Sequence, residues 1–385
     1  MRWASVMAGQ GEPLRALSEA TAALAALLGG PPDLVLVFVS AQHRNLHEAL
    51  LALIAGQWPR AVRLGCEAAG VIAGGCELVG APGVALVGAV LPQVELRAFE
   101  VPAGADALAL RELVGVDPLA QPALLWFADP AGEAVHATLA AVDQAYPSSV
   151  KAGALASGAA GGAKHRLFLG QEVLEGGMIG LALTGDVELS VVVSAGTRAV
   201  GPVGRISRAL GNAVLGVEGQ PALAWLQAVY EGLAVEDRRR FRRGPLVCLG
   251  PDVGGSGPRR REGLVRELIG FDRDQQALLV AHPVEVGGWV QLQVRDPASA
   301  SDDLRAQLAP QQVRAAAGAL LLSCVGRGER FYGAPNHESG LIHELIGPVP
   351  TGGFFGNGEI GPMLGASWVH RYTAVVALFR AREWS

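Results

Sequence analysis

Two short segments late in the chain hold residue types that could do chemistry. SCVGRG carries Cys324 and Arg327, and GNGEIG carries Asn357 and Glu359. An arginine and a glutamate offer complementary anchors for the carboxylate and the ammonium of an amino acid. Each anchor would contribute about 1.5–3 kcal/mol through charge-assisted hydrogen bonds. Gly353 and Gly358 let backbone N–H groups approach a ligand without an intervening side chain, and Phe354 with Phe355 supplies an apolar wall. The competing reading pairs Arg327 with Glu359 and takes the glycines as a tight turn around a buried aromatic pair. In the first half of the chain Cys66 and Glu67 occupy the corresponding place, and Ser157 does so in a middle segment.

Other chemistries fit less well. Cys324 with His337 or His343, or Cys66 with His43 or His47, could combine as nucleophile and base in a thiol-dependent transferase or hydrolase. Neither cysteine sits in a nucleophile elbow and no third orienting group is evident, so binding is favoured over catalysis. Asp302 and Asp303 are read as capping residues at a helix start. GNGEIG also has the dinucleotide spacing G-x-G-x-x-G, which requires a helix opening within the glycines. Here Pro362 follows, no helical period does, and Glu359 would repel a pyrophosphate. Neither a nucleotide nor any other cofactor is expected. Cys66, Cys76, Cys248 and Cys324 lack metal-ligand spacing, so they are read as reduced thiols of a cytoplasmic protein, with no metal site.

The elements that must position these residues form a repeating sentence. LVLVFVS (34–40) is a continuous apolar run of strand length, followed by a helix over 43–58 and a strand over 61–75 that dissolves into a glycine-rich turn. The order recurs at 123–162 and again at 319–362. This predicts an α/β protein with mixed sheets, helices packed on them, and two similar-sized halves, 1–199 and 200–385. Half of the 385 residues are hydrophobic and 17% are charged, enough for a sizeable core. A net charge of −5 argues against a nucleic-acid partner, and the basic runs at 236–244 and 259–261 are read as solvated loops. Neither a signal peptide nor an apolar run long enough to cross a bilayer is seen, so no membrane association is expected.

Taken together, GCEAAGVIAGG, GRISRALGNAVLGVEGQPAL, SCVGRG and TGGFFGNGEIGP resemble the FIST proteins, the F-box and intracellular signal transduction group. The resemblance spans roughly residues 30–380, as a FIST N-terminal domain followed by a FIST C-terminal domain. It implies a sensory module that binds small ligands, with amino acids or their derivatives suggested. The chain leaves no room for the output domains often fused to such modules, so signalling would pass to a separate protein partner. A protein-interaction scaffold without a small ligand is the alternative, and self-association is left open.

Overall fold

The computed structural model describes residues 1–8, 11–131, 134–160, 162–251 and 263–382. Its contacts divide the chain into two compact units, Met1–Ser194 with Ser301–Ser385, and Ala195–Ala300. These units follow the chain differently from the sequence halves 1–199 and 200–385.

The larger unit is one pattern written three times. The first repeat runs β1 (Arg2–Ala8), α1 (Pro13–Leu28), β2 (Leu34–Ser40), α2 (His47–Gln57), β3 (Val62–Ala68), a hairpin of β4 (Gly70–Ala73) and β5 (Cys76–Val79), and β6 (Val84–Val90). The second runs β7 (Val94–Val101), α3 (Ala107–Val114), β8 (Ala123–Ala128), α4 (Val135–Ala145), β9 (Lys151–Leu155), the hairpin β10 (Arg166–Leu169) and β11 (Glu172–Glu175), and β12 (Met178–Gly185). The third opens with β13 (Glu188–Ala195) and is then interrupted by the smaller unit.

That smaller unit holds β14 (Thr197–Leu210), β15 (Ala213–Val217), β16 (Gln220–Pro221), α5 (Ala222–Gly232), α6 (Val235–Arg243), β17 (Leu246–Gly250), β18 (Leu264–Asp272), β19 (Ala277–Val280) and β20 (Trp289–Arg295). Its long strand β14 pairs with β20 through Arg205 and with β15 from Ile206 onward, which closes the antiparallel sheet on itself. The third repeat resumes with α7 (Pro297–Leu308), β21 (Gly318–Cys324), a short helix α8 (Glu329–Tyr332) and α9 (His337–Ile346). It ends with β22 (Thr351–Gly356), the hairpin β23 (Glu359–Met363) and β24 (Ala366–His370), and β25 (Thr373–Arg380).

Each repeat supplies a parallel pair, β2–β3, β8–β9 or β21–β22, and each sheet is completed by a hairpin from another repeat. The orders are β1-β6-β2-β3-β10-β11, β7-β12-β8-β9-β23-β24 and β13-β25-β21-β22-β4-β5. The exchange is cyclic: the second repeat lends its hairpin to the first, the third to the second, and the first to the third.

The apolar runs follow from this burial on two faces. Leu34, Leu36 and Phe38 face a core shared by all three sheets, whereas Val35, Val37 and Val39 pack beneath α1 and α2. Leu125 and Phe127 alternate in the same way with Leu124 and Trp126, as do Leu320 and Leu322 with Ala319 and Leu321. At the shared centre the ring centroids of Phe38 lie 5.5 Å from Phe127 and 4.8 Å from Phe354, and those of Phe127 and Phe354 are 5.9 Å apart.

Four local expectations are corrected. The stretch 349–362 is not a strand and a turn but two strands in different sheets, since its glycines permit close strand approach. The strand over 61–75 likewise divides into β3 and β4. The run 236–244 is helical, anchored by buried Phe241 and by ion pairs of Arg240 with Glu236 and Asp296; residues 259–261 lie outside the described residues. Asp302 and Asp303 sit within α7, and it is Asp296 whose carboxylate accepts from the Ser299 N–H, 3.1 Å, at the helix start.

Candidate functional site

The inward side of the parallel strands is apolar until their carboxyl ends, where it turns polar. Inward positions alternate along a strand, so Ser40, Asp129 and Cys324 take the same place, two residues beyond Phe38, Phe127 and Leu322. All three are buried. The second strands match as well: GCEAAG (65–70), GALASG (153–158) and GFFGNG (353–358) align on their first glycines, which pair with Val37, Trp126 and Leu321. This recurrence is the sequence signal that could have exposed the threefold plan.

Ser157, Ala69 and Asn357 are equivalent in that alignment, and the backbone there forms a ring. The Ser157 N–H donates to the Glu67 carbonyl at 3.2 Å, and the Asn357 N–H donates to the Leu155 carbonyl at 3.0 Å. In the third place the Ser157 hydroxyl is inserted: it accepts from the Ala69 N–H at 2.8 Å and donates to the Phe355 carbonyl. Ser157 thus ties the three repeats together at the carboxyl ends of their strands.

The other sequence-predicted residues divide by location. Cys66 and Phe354 lie in the shared apolar core, and Gly353 lies inside β22 against the Leu321 carbonyl. Glu67, fully buried, accepts two hydrogen bonds from Arg44 (3.0 and 2.8 Å) and one from the Arg166 N–H. Gly358 adopts φ 135° and packs against Val369 and Leu155. Asn357 is half-buried, and among the described residues its side-chain amide makes no hydrogen bond.

Cys324, Arg327 and Glu359 do come together, in a buried network with groups that sequence reasoning missed. Arg327 does not pair with Glu359. Its Nε donates to Glu338 at 2.6 Å, while its terminal nitrogens donate to the Tyr372 carbonyl at 3.1 Å and the Tyr332 hydroxyl at 2.6 Å. Glu338 also accepts from Tyr332 (2.9 Å) and from Ser323. Glu338 went unrecognised because it sits in the first turn of α9, in HESGLIHELI, where an acidic residue is ordinary helix chemistry. Burial alone would lower the Arg327 guanidinium, but the Glu338 carboxylate and the Tyr332 and Cys324 groups together outweigh it and hold the charge more firmly than usual.

Glu359 is fully buried at the start of β23 and has one satisfied oxygen. Oε2 accepts from the Thr373 hydroxyl at 2.7 Å, whereas Oε1 has no hydrogen-bond partner among the described residues. Burial pushes its carboxyl up to about 8, against the opposing pull of Thr373 and the Arg327 charge. The unfolded chain releases this proton near its ordinary value of 4.5, and the folded protein keeps it until about 8. The contribution of Glu359 to stability is therefore greatest below that window, falls as the pH rises through it, and levels above it. Glu77, raised to about 7 by burial, acts in the same sense as Glu359, whereas His47, lowered by burial to about 3, acts in the opposite sense below 6.5. Glu359→Gln should flatten the fall in urea-unfolding free energy between pH 5 and 8; a curve parallel to that of the parent chain would contradict this assignment.

The thiols are not poised to attack. Burial pushes Cys324 and Cys248 up to about 12 and Cys66 well above its ordinary value; the Glu359 charge adds to the effect at Cys324. Only Cys76 is exposed. Iodoacetamide at neutral pH should label Cys76 first and the other three only on unfolding; rapid labelling of Cys324 in the folded chain would reverse this reading. Among the described residues no group of His, Cys, Asp and Glu side chains could hold a metal ion, and no helix is long and apolar enough to cross a membrane. A strand, not a helix, follows the glycines of GNGEIG, so the phosphate-binding geometry of a dinucleotide motif is not formed.

Comparison with known proteins matches the FIST N domain over residues 33–220 and the FIST C domain over residues 222–362. FIST domains are signal-transduction domains, generally thought to bind small ligands. An uncharacterized protein of Mycobacterium tuberculosis is 34% identical over 374 residues, covering 95% of this chain and 96% of its own. An uncharacterized protein of Mycobacterium bovis is 30% identical over 359 residues, covering 92% of each. Among solved structures, the cyanuric acid hydrolase of A. caulinodans aligns over 100% of this chain and 99% of its own, with a TM-score of 0.36 and 9% identity. With both domain models matched in order and relatives aligned over nearly the full length, the chain belongs to the FIST family.

Proposed function

We propose that the protein is a cytoplasmic sensor that binds a small zwitterion, an amino acid or a close relative, and passes the bound state to a separate protein. The observation that carries this reading is Glu359 Oε1, a buried carboxyl oxygen with no hydrogen-bond partner among the described residues, at the carboxyl end of the sheet strands. A ligand ammonium would donate to Oε1 and draw Glu359 into its charged form. Because Arg327 is committed to Glu338, the ligand carboxylate falls to the Asn357 amide and backbone N–H groups. One charge-assisted contact and several neutral ones fit affinities around the micromolar level, about 8 kcal/mol. The free cysteines fit a reducing compartment.

A thermal-shift screen of amino acids and related metabolites tests the reading. At least one should raise the melting temperature, and Asn357→Ala and Glu359→Gln should each abolish that rise while remaining folded. A flat screen, with a protein partner that binds the ligand-free chain tightly, would replace the sensor with a scaffold.

A further inference from the structure

The second sheet ends, on the side away from Glu359, in a rim that carries no charge. Three loops form it: PLAQP (118–122) before β8, PSSV (147–150) before β9, and the turn PMLG (362–365) between β23 and β24. They are neighbours because β8 and β9 run parallel and β23 lies antiparallel along β9, with Ile360 opposite Gly153. The Leu124 N–H donates to the Val150 carbonyl at 3.0 Å, which ties the first two loops together. β23 spans the distance from Glu359 to Met363 at the rim, about 13 Å at roughly 3.3 Å per residue.

The rim exposes aliphatic side chains: Leu119 at 88%, Leu364 at 54% and Val150 at 39%. Gln121 and Ser148 are the only exposed polar residues of the three loops. The adjoining charge is turned inward. Lys151, the first residue of β9, is buried; its Nζ donates to the Tyr146 and Ser149 carbonyls at 2.6 and 3.1 Å and lies 3.0 Å from Asp143. Exposed Asp117 stands just before the first loop and caps the Leu119 N–H at 2.9 Å.

Leu364 is the anomaly. It opens a two-residue hairpin turn that recurs in all three repeats, between Ala73 and Cys76, Leu169 and Glu172, and Met363 and Ala366. The first turn residue is left-handed each time, with φ 58° at Gly74, 63° at Gly170 and 52° at Leu364. Glycine takes that conformation freely, whereas a leucine β-carbon crowds its own backbone. Leu364 is too exposed for burial to offset the strain, so the fold alone gives no reason for it.

We propose that this rim is the interface of a twofold homodimer, with Leu119, Val150 and Leu364 of each copy packed against the same residues of the other. A twofold contact sets a patch against itself, so a charged patch repels its copy and an uncharged aliphatic one does not. With a net charge of −5 on each chain, such a face is where two copies can meet with least repulsion. Depletion of charge is also what marks the core of homodimer interfaces. The contact leaves the Glu359 end of the strands open in both copies, and its failure would leave the sensor reading untouched.

Sedimentation velocity of the full chain tests this. The parent should be a dimer at tens of micromolar and stay one as the concentration rises further. Leu119→Glu and Leu364→Glu, both at exposed positions, should keep the circular dichroism of the parent and each weaken the dimer at least tenfold. In the Leu119→Glu monomer, adding Leu364→Asn should raise the urea midpoint, because asparagine tolerates the left-handed turn. A parent that stays monomeric, whatever else its rim binds, would overturn the proposal. So would association beyond two copies, a dimer indifferent to both glutamates, or a midpoint that asparagine does not raise.

Discussion

Gly153→Ala is expected to leave little folded protein. A β-carbon there would lie 2.0 Å from the Trp126 carbonyl oxygen and 2.8 Å from its carbon, a collision with backbone that no rotamer change relieves. β8 cannot retreat: Trp126 is fully buried, packed edge-on against Phe99 at 5.6 Å and covered by α4. Such a change belongs with the rare substitutions costing more than about 4 kcal/mol, a large share of the roughly 5–15 kcal/mol that holds a domain together. Gly65→Ala and Gly353→Ala should behave alike, since their β-carbons would meet the Val37 and Leu321 carbonyl oxygens at 1.8 and 2.0 Å. Gly56→Ala is the control. It lies exposed in α2 with nothing within 4 Å of the added carbon, and should stabilise by about 0.5–1 kcal/mol. Soluble Gly153→Ala protein melting within a few degrees of the parent would refute the close-approach argument.

The second large effect concerns Arg327. Arg327→Met should strip Glu338 of its counter-charge in a site where both side chains are at most 1% exposed, and should cost about 3–5 kcal/mol by urea unfolding. Adding Glu338→Gln to Arg327→Met should recover part of that loss, because the buried charge disappears with its partner. A double variant no more stable than the single one would mean that packing of the guanidinium, not the ion pair, is what matters. This differs from the sequence reading of Arg327 as a ligand anchor. The difference arises because three nitrogens already have protein acceptors or hydroxyl partners.

The elements were legible where both faces of a strand are covered, because LVLVFVS, ALLWFA and GALLLSC then read as unbroken apolar runs. Their order within each repeat was legible for the same reason. Which sheet a hairpin joins was not. The pairing of Val71 with Phe354 unites residues near opposite ends of the chain, and no local pattern encodes such a partner. Glycine was misread for a related cause: in TGGFFGNGEIGP it signals one backbone pressed against another, but in sequence it looks like a turn. At the candidate site, Glu359 and Asn357 were visible as polar residues among glycines, whereas Thr373, Tyr332 and Glu338 became visible only once the strands were assembled.

The cyclic exchange of hairpins also orders events during synthesis. The first sheet cannot be finished until β10 and β11 have been made, nor the second until β23 and β24 exist. The earliest hairpin, β4–β5, waits longest, since its partner β22 is made only after the whole smaller unit has left the ribosome. Until then β4 presents Val71, Ile72 and Ala73 with an open edge, the kind of segment that joins the wrong neighbour. A nascent chain stalled before residue 351 would therefore be a half-closed clasp, sticky at its first hairpin, and only the last thirty or so residues would shut it.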